Sequence, residues 1–319
     1  MKRLALILSF ILLASLCSCS SIKELKQKIN PPVEDAGEVI TAPLRTETAE
    51  PGTTESETET ESETEEATGN TGELGCAGTL DGRTVVVSVF ASDIMSQWVE
   101  NVADNEMKDL MLAHLNTACR WISDRAADYG VTSEFICDWN ENADIKYNVI
   151  YESEMLVSDA SRYRIVANDI LKNLNVNMIL SEYEAEDIVY LFFYNTDFDN
   201  EVHANSLTHV DSPDFDIEYA TIPVRANGEV TSPATIAHEI LHFFGAYDLY
   251  EVEDNKIPDE YIAYLAENGS DDIMRFVNSE DEIYASFSLL DAYYTGLADE
   301  CPDVSEWGLP EAERFTIDK

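Results

Sequence analysis

The sequence predicts an α/β (α+β) domain, with helices packed on a mixed sheet, from about Cys76 to Lys319. Short runs rich in β-branched and aromatic residues alternate along this region with longer segments whose apolar residues recur at helical spacing. Such alternation is typical of helices packed against a sheet. A region of roughly 245 residues can form one large core or two modest lobes.

The first elements follow from local patterns. The run RTVVVSVFA at 83–91 is β-branched and bounded by turn residues, which predicts a strand. From Met95 to Tyr129 apolar residues recur at helical spacing until Gly130, which predicts a helix. The runs SEFICDW and KYNVIYES predict two more strands. Residues 158–180 predict a second helix, whose inward side chains would be Ile165, Ile170, Leu171 and Leu174.

Three further strands are predicted before residue 230. DIVYLFFYN at 187–195 is apolar at nearly every position, as in a strand buried on both faces. EVHANSLTHV at 201–210 alternates more and predicts an edge strand. YATIPV at 219–224 predicts another strand, and the ANGEV that follows predicts a turn.

A predicted buried helix at 234–244 carries two histidines, and Pro233 suits its first turn. His238 and His242 are spaced i and i+4, so both imidazoles can reach one metal ion. Glu239 is rotated about 100° from His238, which places it beside such an ion without binding it. Buried imidazoles and carboxylates cost several kcal/mol unless something pairs them, and a cation is the simplest common partner.

Asp248 is the predicted third ligand. In a continued helix it would lie about 9 Å further along the axis than His242, too far to share a metal. Gly245 can adopt a positive φ, which lets the chain fold back and bring Asp248 to the ion. Three protein ligands would leave one position open for water. The alternative third ligands are downstream glutamates: Glu251, Glu253 and Glu260.

The pattern HExxHxxGxxD resembles the metzincin metallopeptidases, in the form with aspartate as third ligand that the snapalysin family has. The ending GAYDLY is also similar to secreted peptidases of the immune inhibitor A type. This resemblance covers residues 234–276. It implies a metzincin-like mixed sheet, an active-site helix and a C-terminal subdomain with a methionine turn. It further implies that 202–208 binds substrate as an added antiparallel strand.

The resemblance also assigns a methionine turn beneath the metal. The segment ENGSDDIMRF supplies Met274, 26 residues after Asp248. Several metzincins carry a tyrosine two residues after this methionine, as an extra zinc or transition-state partner. Here that position is Phe276, so the chain must do without the tyrosine or recruit one such as Tyr284 or Tyr293.

The predicted function is a zinc-dependent endopeptidase acting on a protein or peptide substrate. One catalytic Zn²⁺ would be bound by His238, His242 and Asp248, and Glu239 would activate water and then protonate the leaving amine. One alternative is a gluzincin-like peptidase with a downstream glutamate as third ligand. Another is a surface binding lipoprotein with structural zinc, although such sites normally have four protein ligands and no fourth is evident.

The N-terminus predicts export. Lys2 and Arg3 precede an apolar run, 4–16, that is too short to span a bilayer comfortably and fits a secretory signal. A plain membrane anchor is the alternative. The following LCSC resembles the bacterial lipobox, which implies cleavage after Ser18 and a lipid on Cys19. The mature protein would then be anchored to a membrane at the cell surface, outside the cytoplasm.

Residues 19–75 are predicted to be a disordered acidic tether. Between Glu34 and Glu73 there are 13 acidic residues and one base, Arg45, with Glu alternating with Thr and Ser in the later part. Such a composition buries too little apolar surface to offset chain entropy.

The charge balance excludes one class of partner. The chain has a formal net charge of −44, and the predicted domain holds 49 acids against 13 bases. Phosphate binding needs clustered Lys and Arg, so nucleic acid is not expected. Bound structural Ca²⁺ is compatible with this charge. We expect a monomer.

Four cysteines lie in the predicted domain, and an exported domain can pair them as disulfides in three ways. The preferred pairs are Cys119 with Cys137 and Cys76 with Cys301. Buried free thiols are the alternative.

Overall fold

The computed structural model describes residues 78–155, 160–208, 217–252 and 255–312, and shows a mixed α/β fold. Its strands are β1 (Gly82–Ser92), β2 (Ser133–Ile136), β3 (Lys146–Ile150), β4 (Asp187–Tyr194), β5 (Asn205–Leu207), β6 (Tyr219–Pro223), β7 (Arg225–Ala226) and β8 (Glu229–Val230). Its α-helices are α1 (Val102–Asp128), α2 (Ala160–Asn173), α3 (Val176–Tyr183), α4 (Pro233–Phe243), α5 (Asp259–Glu267), α6 (Leu289–Tyr294) and α7 (Pro302–Trp307). One 3₁₀ turn, Ala143–Ile145, precedes β3.

The main sheet has the strand order β2–β1–β4–β6–β5, and β3 also pairs with β1. The first residues of β1 pair with β2 and its last residues with β3, and both pairings are parallel. β4 and β6 continue the parallel part, whereas β5 runs antiparallel to β6 and forms the edge. The sheet is therefore mixed, and the predicted edge strand does lie at an edge, although it spans only Asn205–Leu207.

The core is built on the two central strands. Every residue of β4 is buried, and β1 is buried from Thr84 onward, which confirms the buried strand predicted from DIVYLFFYN. α1 packs against α4 and β2, and buries Met111, Leu115 and Ile122. α4 also contacts β5 and β6. The helix with the two histidines is thus supported by another helix and by the sheet edge.

The first predicted helix begins later than its apolar pattern suggested. α1 starts at Val102, because the Asn101 side chain caps it by accepting a hydrogen bond from Asp104 N. The preceding loop is turned instead by Asp93, whose Oδ1 accepts from the backbone N–H groups of Met95 and Ser96. Local side-chain hydrogen bonds of this kind compete with helix formation.

The second predicted helix is wrong in two respects. It is divided into α2 and α3 because Asn175 caps a new helix, accepting a hydrogen bond from Met178 N. Its inward face is also rotated from the predicted one. Of the side chains predicted to point inward, Ile170 is buried and Leu174 is partly buried, whereas Ile165 and Leu171 are exposed; Tyr163 and Val166 are buried in their place.

The described cysteines are buried thiols, and no disulfide occurs within the described ranges. Cys119 and Cys137 lie side by side. The pKa of the Cys119 thiol is raised mainly by burial and, to a smaller extent, by a hydrogen bond with Cys137. Their pairing stays a prediction. Cys76, the predicted partner of Cys301, lies outside the described residues. No described helix is both long and apolar enough to cross a membrane.

Candidate metal centre

The candidate site is built on α4, which begins and ends as its sequence predicts. Ser232 caps the helix by accepting a hydrogen bond from Thr235 N, and Pro233 occupies its first turn. All its residues except Thr235 are buried, including His238, Glu239 and His242. Polar groups are this deeply buried only when something compensates for their lost hydration.

Three side chains converge at the C-terminal half of α4. His238 Nε2 and His242 Nε2 lie 3.2 Å apart. Asp248 Oδ1 lies 3.1 Å from the first nitrogen and 3.4 Å from the second. Within the described ranges this is the only group of three or more His, Cys, Asp or Glu side chains whose ligand atoms gather within 4.8 Å.

The orientation of the two rings points both Nε2 atoms at the same place. His238 Nδ1 lies 3.0 Å from Ile273 O, and His242 Nδ1 lies 2.8 Å from Ala246 O. A carbonyl oxygen only accepts, so each Nδ1 carries a proton, and each Nε2 is the atom that can bind either a metal ion or a second proton. Asp248 Oδ1 is buried and faces both Nε2 atoms. Two Nε2 atoms and an anionic oxygen therefore face one another, in an arrangement that could hold a metal ion.

The electrostatics of the three side chains agree with this geometry. Burial opposes ionisation of His242, but hydrogen bonding and Coulombic attraction from Asp248 outweigh it and raise the pKa of His242 to about 9. Burial would likewise raise the pKa of Asp248, but hydrogen bonds from His238 and His242 hold it well below its usual range. The cluster thus attracts a positive charge, which a proton or a metal ion can supply.

A turn at Gly245 brings Asp248 back to the helix. Gly245 has φ 92°, the left-handed conformation that glycine adopts readily. Its N–H donates to His242 O, and Ala246 N donates to Leu241 O, which ends α4. Leu249 N then donates to Met274 O and fixes the returning chain. The predicted turn is confirmed, and it places Asp248 beside both histidines.

Met274 lies in a tight turn that supports the cluster. Its side chain is fully buried, and its N–H donates to Asp272 Oδ1 at 2.8 Å. Phe276 N donates to Asp272 O, which closes the turn. The carbonyl before the methionine, Ile273 O, is the one that orients His238.

Glu239 lies beside the cluster, at an open cavity. This cavity has a volume of about 200 Å³. The residues that line it include Glu239, His238, Tyr250, Arg275 and Ala204, which lies just before β5. Ser206 Oγ donates to Glu239 Oε2 at 2.6 Å and lies 3.0 Å from Glu239 O. Glu239 is therefore held next to the candidate metal position without belonging to the ligand cluster.

Sequence reasoning missed Tyr250. Its ring stacks on His238 at 6.1 Å between ring centroids. The pKa of Tyr250 is raised by burial, by the nearby Asp248 charge and by a hydrogen bond to the Asp248 side chain. The proposed substitutes for the missing tyrosine lie elsewhere: Tyr284 is exposed and bonds Glu282, and Tyr293 bonds Glu311. The sequence feature that could have identified Tyr250 as a site residue is its position two residues after Asp248.

The remaining predicted residues lie apart from the cluster or outside the described ranges. Glu251 and Glu260 are exposed and do not belong to the three-residue group. His203, to which the sequence analysis assigned no role, is exposed and lines the cavity. Cys19 and Glu253 fall outside the described residues. No calcium-type carboxylate cluster is found in the described part of the chain, and bound calcium stays a prediction.

The turn around Met274 rests on a pair of buried carboxyl groups. Asp272 and Asp291 are almost fully buried and hydrogen bond to each other. Burial and the Coulombic effect of Asp272 raise the pKa of Asp291 well above its usual range, and burial also raises that of Asp272. Because two carboxylates repel, the hydrogen bond between them requires a shared proton.

This shared proton predicts a pH dependence of stability. In the unfolded chain the carboxyl loses its proton near pH 4, whereas in the folded chain it keeps it. The free energy of unfolding therefore falls as pH rises above about 4. In Asp291→Asn the amide supplies the hydrogen at every pH, so we expect the chelator-treated variant to lose less thermal stability than the parent between pH 5 and pH 8. The control is Asp81→Asn, which changes an exposed carboxylate. If the thermal stability of Asp291→Asn falls between pH 5 and pH 8 as steeply as that of the parent, the shared proton is contradicted.

Comparison of the chain with protein-family models, curated proteins and solved structures found no match in any of the three.

Proposed function

We propose that the protein is a hydrolytic metalloenzyme, and in particular a zinc-dependent endopeptidase that cleaves peptide bonds within a protein or peptide chain. The observation that carries this proposal is the convergence of His238, His242 and Asp248 on one point, with Glu239 beside it at an open cavity. Two imidazoles and one carboxylate form a donor set that zinc accepts, and three protein ligands are typical of catalytic sites.

The roles of the protein groups follow from their positions. A zinc ion held by the three ligands supplies Lewis acidity toward a substrate carbonyl and a neighbouring water. Glu239 takes a proton from the attacking water and returns it to the leaving amine, which makes it both general base and general acid. Tyr250 holds the carboxylate of Asp248 by its hydroxyl, an outer contact that orients a ligand.

The sheet edge supports an elongated substrate. β5 leaves one side of its backbone unpaired by any described strand, and the chain just before it, at His203 and Ala204, lines the cavity beside Glu239. An extended peptide can add to such an edge through main-chain hydrogen bonds. This arrangement favours cleavage within a chain, because residues on both sides of the scissile bond are held.

The experiment that tests this function is digestion of an unfolded protein by the purified, zinc-loaded chain. Mass spectrometry should show internal cleavage sites, and 1,10-phenanthroline should abolish cleavage until zinc is added back. Products trimmed only from their ends, or cleavage that survives the chelator, would contradict the proposal. A structural zinc site would need a fourth protein ligand, and none joins the cluster within the described ranges.

We propose further that the enzyme works at the cell surface, attached through a lipid on Cys19. In bacteria fed a fatty-acid analogue, the parent should take up label and fractionate with the membrane. Cys19→Ala should do neither, and Cys119→Ala, at a buried thiol, serves as the control. A Cys19→Ala protein that still carries label would show that the lipid is attached elsewhere.

A further inference from the structure

Ser206 makes an unusual contact for a residue of an edge strand. Its side chain points toward α4 and is buried, whereas its neighbour Asn205 is exposed. The hydroxyl lies 2.6 Å from Glu239 Oε2 and 3.0 Å from Glu239 O, and these two residues are 33 positions apart in the chain. One serine thus bonds the carboxylate and the backbone of the same glutamate.

The direction of this bond is determined by chemistry. A carboxylate and a carbonyl only accept, so Ser206 must donate its single hydroxyl proton. The shorter contact, to Oε2, has the length of a charge-assisted O–H···O⁻ bond. The bond from Ser206 is to Oε2 and not to Oε1, and Glu239 lines the open cavity. The two carboxylate oxygens therefore have different environments.

We infer that Ser206 is a positioning residue for Glu239, which holds Oε2 so that Oε1 faces the reacting water. This inference rests on the proposed function. When Glu239 takes the proton, Ser206 still occupies Oε2, so the proton resides on Oε1, from which it passes to the leaving amine. No atom of Ser206 is consumed, and its own O–H bond is not broken.

The location of Ser206 on β5 connects the base with the substrate. The same three-residue strand offers the edge to which a peptide would add, and it is fixed to β6 by antiparallel pairing at Ser206 and Ala220. The scissile bond and the base are thus held by one element. Errors of about 1 Å in such alignment cost on the order of 10²-fold in rate.

The test compares Ser206→Ala with Ser206→Thr in the zinc-loaded full chain. Ser206→Ala should lower kcat about 10-fold or more, with KM and zinc content unchanged, because only the orientation of the base is lost. Ser206→Thr keeps a hydroxyl and should recover most of the rate. Ser96→Ala is the matched control: Ser96 is also buried and donates to a carboxylate, that of Asp93, but lines no part of the cavity.

A double-mutant cycle separates positioning from a structural role. If Ser206 acts through the Glu239 carboxylate, then adding Ser206→Ala to Glu239→Gln should change the residual kcat by less than about 2-fold. If Ser206→Ala lowers kcat by the same factor in the parent and in Glu239→Gln, the inference is overturned. So would an unchanged kcat in a Ser206→Ala protein whose proteolysis still depends on Glu239. If Glu239→Gln cleaves as fast as the parent, the proposed function itself fails instead.

Discussion

Replacing Glu239 by Gln is expected to lower kcat by about 10²–10⁴-fold or more while leaving about one zinc bound per chain. Glutamine has nearly the same shape as glutamate, but it cannot take a proton from water or return one to the leaving amine. Zinc content should not change, because Glu239 bonds Ser206 and stands outside the ligand cluster. Zinc analysis and kcat on an internally quenched peptide, measured on the same sample, check both parts.

The matched control for this prediction is Glu251→Gln, which changes an exposed glutamate outside the ligand group. Its zinc content and kcat should equal those of the parent. Loss of zinc in Glu239→Gln would show that Glu239 is a ligand. Full proteolysis by a zinc-loaded Glu239→Gln protein would contradict the endopeptidase mechanism.

Replacing Asp248 by Ala is expected to weaken zinc binding by more than the roughly 10–100-fold that loss of an outer-shell partner costs. The change removes one of three ligands, and it also removes the negative charge that raises the pKa of His242. Asp248→His should retain zinc, because imidazole can replace the carboxylate in a donor set of this size. Competition with a chromogenic chelator measures each affinity.

Glu251→Ala and Glu253→Ala belong in the same measurement, because these glutamates were the alternative third ligands. Both should bind zinc as tightly as the parent. If Asp248→Ala binds zinc normally while one glutamate change empties the site, the ligand set is wrong.

The sequence predicted those parts of the site that depend on local geometry. The histidines on α4 follow from a spacing of four residues, and the return of Asp248 follows from a glycine that can adopt positive φ. The central strands β1 and β4 were equally predictable, because continuous apolar runs of strand length leave few alternatives.

The parts that were missed depend on long-range or competing interactions. The bond from Ser206 to Glu239 joins residues 33 positions apart, and no local pattern encodes it. The start of α1 and the division between α2 and α3 are set by asparagine caps that interrupt an otherwise helical apolar pattern. The inward face of α2 depends on which neighbour it packs against, and its weakly apolar sequence permits more than one choice.

The central claim is that one zinc ion is held by two imidazoles and one carboxylate with Glu239 beside it. A crystal structure of the zinc-loaded protein, with anomalous scattering recorded at the zinc edge, tests it most directly. One anomalous peak should lie about 2.0–2.2 Å from His238 Nε2, His242 Nε2 and an Asp248 oxygen, with its remaining position open to the cavity. A peak bound by Glu239, closed by a fourth protein ligand, or located away from these three residues would contradict the account.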